Sequence, residues 1–101
     1  MDSLKVLVVD DEERIRDMIK EYLSLEEYKV YEASNGLEAL ELLNKHEYSV
    51  VVLDIMMPKM DGWTTCKEIR KKSNIPIIML TARGEEYDKL FGFELGVDDY
   101  I

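Results

Sequence analysis

The sequence of 101 residues predicts an α/β fold, a doubly wound parallel sheet for which 2-1-3-4-5 is one common strand order. Three observations predict it. Short apolar runs alternate with segments of helical periodicity along the chain, with no linker between them. The strongest runs are apolar at successive positions, as strands buried on both faces of a parallel sheet are. Two of these runs finish in acid, one at Asp10-Asp11-Glu12-Glu13 and the other at Asp54.

Residues 4–9 form the first strand, apolar apart from Lys5. Ile15, Met18, Ile19, Tyr22 and Leu23 follow at helical spacing, which predicts an amphipathic helix over residues 13–24. A short strand covers residues 28–33. Ser34-Asn35-Gly36 makes a turn, and Leu37, Leu40 and Leu43 mark a second helix. The third strand spans residues 49–54. The Pro and Gly of Met57-Pro58-Lys59-Met60-Asp61-Gly62 predict a loop, after which Trp63, Cys66 and Ile69 share one face of a third helix. Residues 75–80 give a fourth strand, with Pro76 near its start, where a missing N–H does least harm. Tyr87, Leu90, Phe91 and Leu95 predict a fourth helix that Gly96 stops, and residues 98–101 begin a fifth strand.

Right-handed crossovers leave few topologies for this pattern. In the order 2-1-3-4-5, strands one and three lie side by side at the switch point, and ligands bind there beyond the carboxyl ends of the strands. Asp10, Asp11 and Asp54 would therefore converge, with Thr81 beside them at the end of strand four.

Length and composition bound what such a site can serve. The chain is expected to be a single domain, residues 1–101, with one core. Its 47% apolar and 35% charged content argues against a disordered chain. No apolar run approaches the roughly 18 residues of a membrane span, and no signal-peptide pattern opens the sequence. Cys66 is the only cysteine, so no intrachain disulfide forms and a reducing cytoplasm is the expected compartment. A formal net charge of −9 repels nucleic acid and anionic membranes, so this segment is expected to bind neither directly. Cations and basic protein faces are the expected partners.

Carboxylates within a few ångströms of one another raise each other's pKa and work against the fold. Magnesium relieves this, because it takes oxygen ligands and keeps several waters. A carboxylate beside it can attack phosphorus to form an acyl phosphate, and a hydroxyl such as that of Thr81 can bond a phosphoryl oxygen.

At this point the residues carry a resemblance. Val8-Val9-Asp10-Asp11-Glu12, Leu53-Asp54-Ile55-Met56-Met57-Pro58 with Asp61-Gly62, Met79-Leu80-Thr81-Ala82-Arg83 and Gly96-Val97-Asp98-Asp99-Tyr100-Ile101 resemble, in order, the receiver domain of two-component response regulators. The stretch Leu80 to Glu86 is similar to the branch with a winged-helix transcription-factor output (the OmpR/PhoB type). The resemblance implies a flavodoxin-like, CheY-like fold. It implies a phosphorylation-activated signalling switch, not an enzyme, in which Asp54 accepts a phosphoryl group from a sensor histidine kinase. Such a domain can still catalyse its own phosphorylation and dephosphorylation. The resemblance also implies a Mg2+ cofactor held by Asp11, Asp54 and the backbone carbonyl of Met56, with Asp10 acting through water. Thr81 and Tyr100 would form the switch, and Met56 and Arg83 would flank the site and tune how long the phosphoryl group lasts.

The family carries a lysine three residues beyond the position of Tyr100, then a proline and a fifth helix, and this sequence stops at Ile101. The expectation is a C-terminally truncated receiver lacking its last helix, associating as a homodimer or domain-swapped assembly through the region of the fourth helix and fifth strand. Lys89, Asp98 and Asp99 are its candidate charged contacts.

Other readings compete. An inactive truncated or engineered fragment would show no phosphotransfer. A Mg2+-dependent phosphatase with an aspartate nucleophile usually carries Asp-x-Asp after strand one, and Asp10-Asp11 lacks that spacing. A flavin-binding flavodoxin would need a Ser/Thr/Gly-rich phosphate loop after strand one. Taken singly, the motifs are bland. Acid after a strand is ordinarily a solvated helix N-terminus, Thr81 a cap or turn hydroxyl, and Tyr100 a half-buried strand aromatic. His46 lies in a polar stretch with no second ligand nearby, Cys66 and Trp63 are most simply core, and the methionines fill gaps. Gly84, Gly92 and Gly96 weaken the fourth helix, since an interior Gly costs about 1 kcal/mol relative to Ala, and a weak helix beside the site suits a switch.

Overall fold

The structure, a computed structural model, describes residues 4–55, 57 and 60–80, together with the backbone of 99–100. Within it are strands β1 (Lys5–Val9), β2 (Lys29–Ala33), β3 (Val50–Asp54), β4 (Ile77–Leu80) and β5 (Asp99–Tyr100). Helices α1 (Glu13–Ser24), α2 (Gly36–Lys45) and α3 (Gly62–Arg70) connect the first four strands. All five strands are parallel and lie in the order β2-β1-β3-β4-β5, as the sequence predicts. The expected fourth helix, Met56, Thr81 and Arg83 lie outside the described residues, as does the side chain of Tyr100.

Successive side chains of a strand point to opposite faces of its sheet, and that alternation sorts the core into two layers. Leu7, Val9, Val51, Leu53, Ile77 and Met79 face one way, where Ala39 of α2 and Cys66 and Ile69 of α3 pack against them. Val6, Val8 and Val52 face the other way, where Ile19 and Leu23 of α1 cover them. Because both faces are covered, β1 from Val6 to Val9 and β3 from Val50 to Leu53 read as unbroken apolar runs. The edge strand β2 is open by comparison, with Lys29 and Tyr31 exposed.

Two helical expectations need correction. Met18 and Tyr22 were expected on the apolar side of α1, yet they are 58% and 71% exposed. Among the described residues, the helix side chains that pack on the Val6, Val8 and Val52 layer are Ile19 and Leu23, four residues apart. Leu37 is likewise exposed, because the stripe of α2 that packs on the core runs through Ala39, Leu40 and Leu43. His46 is exposed at the C-terminal end of α2 and Cys66 is fully buried, both as expected.

The helix starts are chemically specified. Asn35 Oδ1 accepts from the Glu38 N–H at 2.8 Å, and the Glu38 carboxylate reaches back to the Ser34 N–H and hydroxyl. The turn read at Ser34-Asn35-Gly36 is thus the cap and first residue of α2. Asp61 caps α3 in the same manner, its Oδ1 accepting from the Thr64 N–H at 2.8 Å.

Leu7 is fully buried at the centre of the sheet and Tyr22 is largely exposed. Urea unfolding should therefore show Leu7→Ala losing about 3 kcal/mol and Tyr22→Ala less than about 0.5 kcal/mol. Equal losses would contradict this division of the core.

Candidate functional site

Strand register decides what meets at the carboxyl edge of the sheet. Val9 is level with Leu53 across the β1–β3 pair, so the next residue of each strand, Asp10 and Asp54, arrives at the same height. Asp11 follows at once on the turn into α1. The carboxylate oxygens of Asp10, Asp11 and Asp54 come within 4.8 Å of one another. Asp10 is buried, Asp54 half-buried and Asp11 exposed, so the group forms a lip open to solvent on one side.

Asp10 is fixed by three hydrogen bonds. Its N–H donates to the Ala33 carbonyl at 3.1 Å, which ties it to β2. Its carboxylate Oδ1 accepts from the Glu12 N–H at 2.9 Å, which turns the chain into α1. Its own carbonyl accepts from Arg16 Nη1 at 2.6 Å. Glu12 caps α1 without a side-chain bond of its own, so Asp10 supplies an acceptor to the helix start in its place.

Asp54 is held by a close backbone approach. Gly62, the first residue of α3, donates its N–H to the Ile55 carbonyl at 2.9 Å. A Cβ on Gly62 would strike the Asp54 carbonyl oxygen and lie 2.6 Å from Ile55 Cα and 3.0 Å from the Asp54 carbonyl carbon. Glycine is what lets α3 press against the strand end.

Carboxylates this close repel one another. Each pair of unit charges at such a separation repels by about 1 to 3.5 kcal/mol between bulk-water and protein-surface screening. Burial pushes the Asp10 carboxyl above its ordinary 3.8. The Glu12 N–H opposes that shift, the Asp11 and Glu12 charges add to it, and the Arg16 guanidinium opposes it. Oxygen donors and excess negative charge suit a hard divalent cation such as magnesium.

The sequence expected Asp10, Asp11 and Asp54 to converge, and the structure brings them together. The backbone of Tyr100 pairs with Met79 on the far side of β4, while its side chain is not described. Sequence reasoning missed Arg16 and its partner Glu32. The available signal was Arg16 lying three residues before Ile19 and seven before Leu23, on the stripe of α1 that packs on the sheet. A cation there needs an acceptor nearby. A cavity of about 670 Å³ opens at the opposite, amino-terminal edge of the sheet, lined by residues that include Leu43, His46, Tyr48, Glu68, Lys72 and Ile75. It takes no part in the acidic site.

Two measurements check this geometry. The raised Asp10 value means the folded chain keeps that proton to a higher pH than the unfolded chain does. Ionising Asp10 therefore subtracts from stability, and the subtraction grows as pH rises from the ordinary carboxylate value through the raised one. In metal-free buffer, Asp10→Asn should be more stable than the parent at pH 7, with the advantage shrinking as pH falls toward 3.8. A constant advantage, or none, contradicts the assignment. Gly62→Ala should lose about 1 to 3 kcal/mol in unfolding experiments, as overpacked sites do. A neutral result would show that the contact with Asp54 is not tight.

Comparison with known proteins follows the same lines. The sequence matches the response regulator receiver domain family over residues 6–101. It is 54% identical over 97 residues to the probable transcriptional regulator ycf27 of Porphyra purpurea, covering 96% of this chain and 40% of that protein. It is 50% identical over 99 residues to the transcriptional regulatory protein SrrA of Staphylococcus aureus, covering 98% of this chain and 41% of that protein. The chain thus spans about two-fifths of the length of these relatives. Among solved structures, chemotaxis protein CheY4 of Vibrio cholerae superposes with a TM-score of 0.94 at 34% identity, covering 99% of this chain and 86% of that one. Response regulator protein TrrA of Thermotoga maritima, in complex with Mg2+ and BeF, gives a TM-score of 0.87 at 40% identity, covering 97% and 84%. With the strand order, the acidic lip and the sequence match in agreement, the chain belongs to the response regulator receiver domain family.

Proposed function

We propose that this chain is a phosphorylation-activated switch whose phosphoacceptor is Asp54, supplied by the phosphohistidine of a sensor kinase and dependent on Mg2+. The observation that carries the reading is the meeting of three carboxylates at the switch point of the sheet. Asp10 is buried and its Oδ1 already accepts a backbone N–H. Asp11 is exposed at the turn. Asp54 combines a half-buried side chain with a backbone held by β3 and α3, which suits a nucleophile that must be both reachable and oriented.

Asp11 and Asp54 would hold the ion directly, with Asp10 through water and the Met56 carbonyl as a further ligand. Bound there, magnesium would offset the carboxylate charge and that of the incoming phosphoryl oxygens. In the transfer itself, an Asp54 oxygen forms a bond to phosphorus as the phosphorus–nitrogen bond to the donor histidine breaks, leaving an acyl phosphate on Asp54. Thr81 follows Leu80, the register partner of Asp54, and is proposed to bond a phosphoryl oxygen. Its movement would be sensed by Tyr100, and Arg83 with Met56 would govern access of water to the acyl phosphate.

The relatives are transcriptional regulators more than twice as long as this chain, which supports a separate output segment that contacts DNA. The net charge of −9 assigns that contact to the other segment. Among the described residues no helix is long and apolar enough to cross a membrane.

Acetyl phosphate with Mg2+ should add one phosphoryl group, read by intact-protein mass spectrometry. Asp54→Asn, or excess EDTA, should abolish it. Labelling that survives in Asp54→Asn, or that ignores EDTA, would refute the proposal.

A further inference from the structure

The Arg16 guanidinium reaches from α1 across the end of the sheet and makes two contacts at once. Its Nη1 donates to the Asp10 carbonyl at 2.6 Å, and its Nε donates to Glu32 Oε1 on β2 at 3.2 Å. The Arg16 side chain is 15% exposed, and both bonds are partly buried. Lys20, one turn along α1, lies 3.7 Å from the other Glu32 oxygen and steadies the carboxylate that orients the fork. The Asp10 carbonyl belongs to the peptide unit linking Asp10 to Asp11. Fixing its oxygen fixes the plane of that peptide, and so the direction in which the Asp11 side chain leaves the backbone. The Asp10 N–H is held by Ala33 and its carboxylate by the Glu12 N–H, which leaves the carbonyl as the remaining handle on this turn.

We infer that Arg16 is a positioning residue for the acidic lip: by clamping the Asp10–Asp11 peptide it sets the distance of the Asp11 carboxylate from Asp54, and so the affinity for the divalent cation. The inference rests on the proposed Mg2+ site and adds a residue that acts on the ion through the backbone of its ligands. It follows from the shape of the group, since a planar fork can serve two acceptors in fixed directions and a lysine ammonium cannot. Outer-shell partners of metal ligands commonly alter affinity by about 10- to 100-fold when changed.

The test compares the parent, Arg16→Lys, Arg16→Gln and Glu32→Gln by Mg2+ titration calorimetry and by amide hydrogen exchange. Arg16→Lys keeps the charge and should still weaken Mg2+ binding about tenfold. It should also speed exchange at the Glu12 amide, leaving protection of the central-strand amides Val8 and Val52 unchanged. Glu32→Gln keeps an acceptor for Nε and should shift affinity less than either Arg16 variant. Mg2+ affinity in Arg16→Lys within twofold of the parent would overturn the inference. So would exchange that accelerates equally at Glu12, Val8 and Val52, which marks a merely structural role. A parent that takes up no Mg2+ would overturn the proposed function and the metal half of this inference together. Exchange at Glu12 would then still decide whether Arg16 holds the turn.

Discussion

The register between β1 and β3 is the constraint on which everything else depends. It sets Val9 level with Leu53 and so delivers two carboxylates, on strands remote in sequence, to one edge. A slip of one residue would turn each strand's buried side chains to the wrong face, and Leu7, Val51 and Leu53 are fully buried. The hydrophobic layers thus enforce the position of the acids at the ends of the same strands. This is how a sheet whose core is almost wholly apolar can hold a charged cluster at its rim.

Around that register, short-range chemistry fixes direction. The Asp10 turn is tied to β2, to the start of α1 and to Arg16, while Gly62 brings α3 against the Asp54–Ile55 backbone. Most of these restraints act on main-chain atoms, and the Asp10 carboxylate itself takes one of them, from the Glu12 N–H. The repulsion among the three carboxylates is what the proposed cation would relieve. A site that resists its own charge when empty gains most when a divalent ion arrives.

Much of this was legible in the residues. Continuous apolar runs identified β1 and β3, their acid ends marked the site, and the alternation of strands and helices left few topologies, the observed order among them. What periodicity could not supply was the width of the layer each helix covers. Met18, Tyr22 and Leu37 sit at apolar helical spacing yet are exposed, while Ile19 with Leu23, and Ala39 with Leu40 and Leu43, are the described residues that pack on the core. Arg16 was invisible for a related reason. A charged residue on a helix is ordinarily solvated, and only the three-dimensional approach of Glu32 and the Asp10 carbonyl gives it a task.

The central claim is that Asp10, Asp11 and Asp54 share a single divalent ion. Manganese, which takes the same oxygen ligands as magnesium, broadens nearby NMR signals through its unpaired electrons. Substoichiometric Mn2+ added to the isotope-labelled chain should first erase the amide signals around residues 10–11 and 54–55, and excess Mg2+ should restore them. Broadening centred elsewhere on this acidic surface, or spread evenly over its carboxylates, would contradict the account.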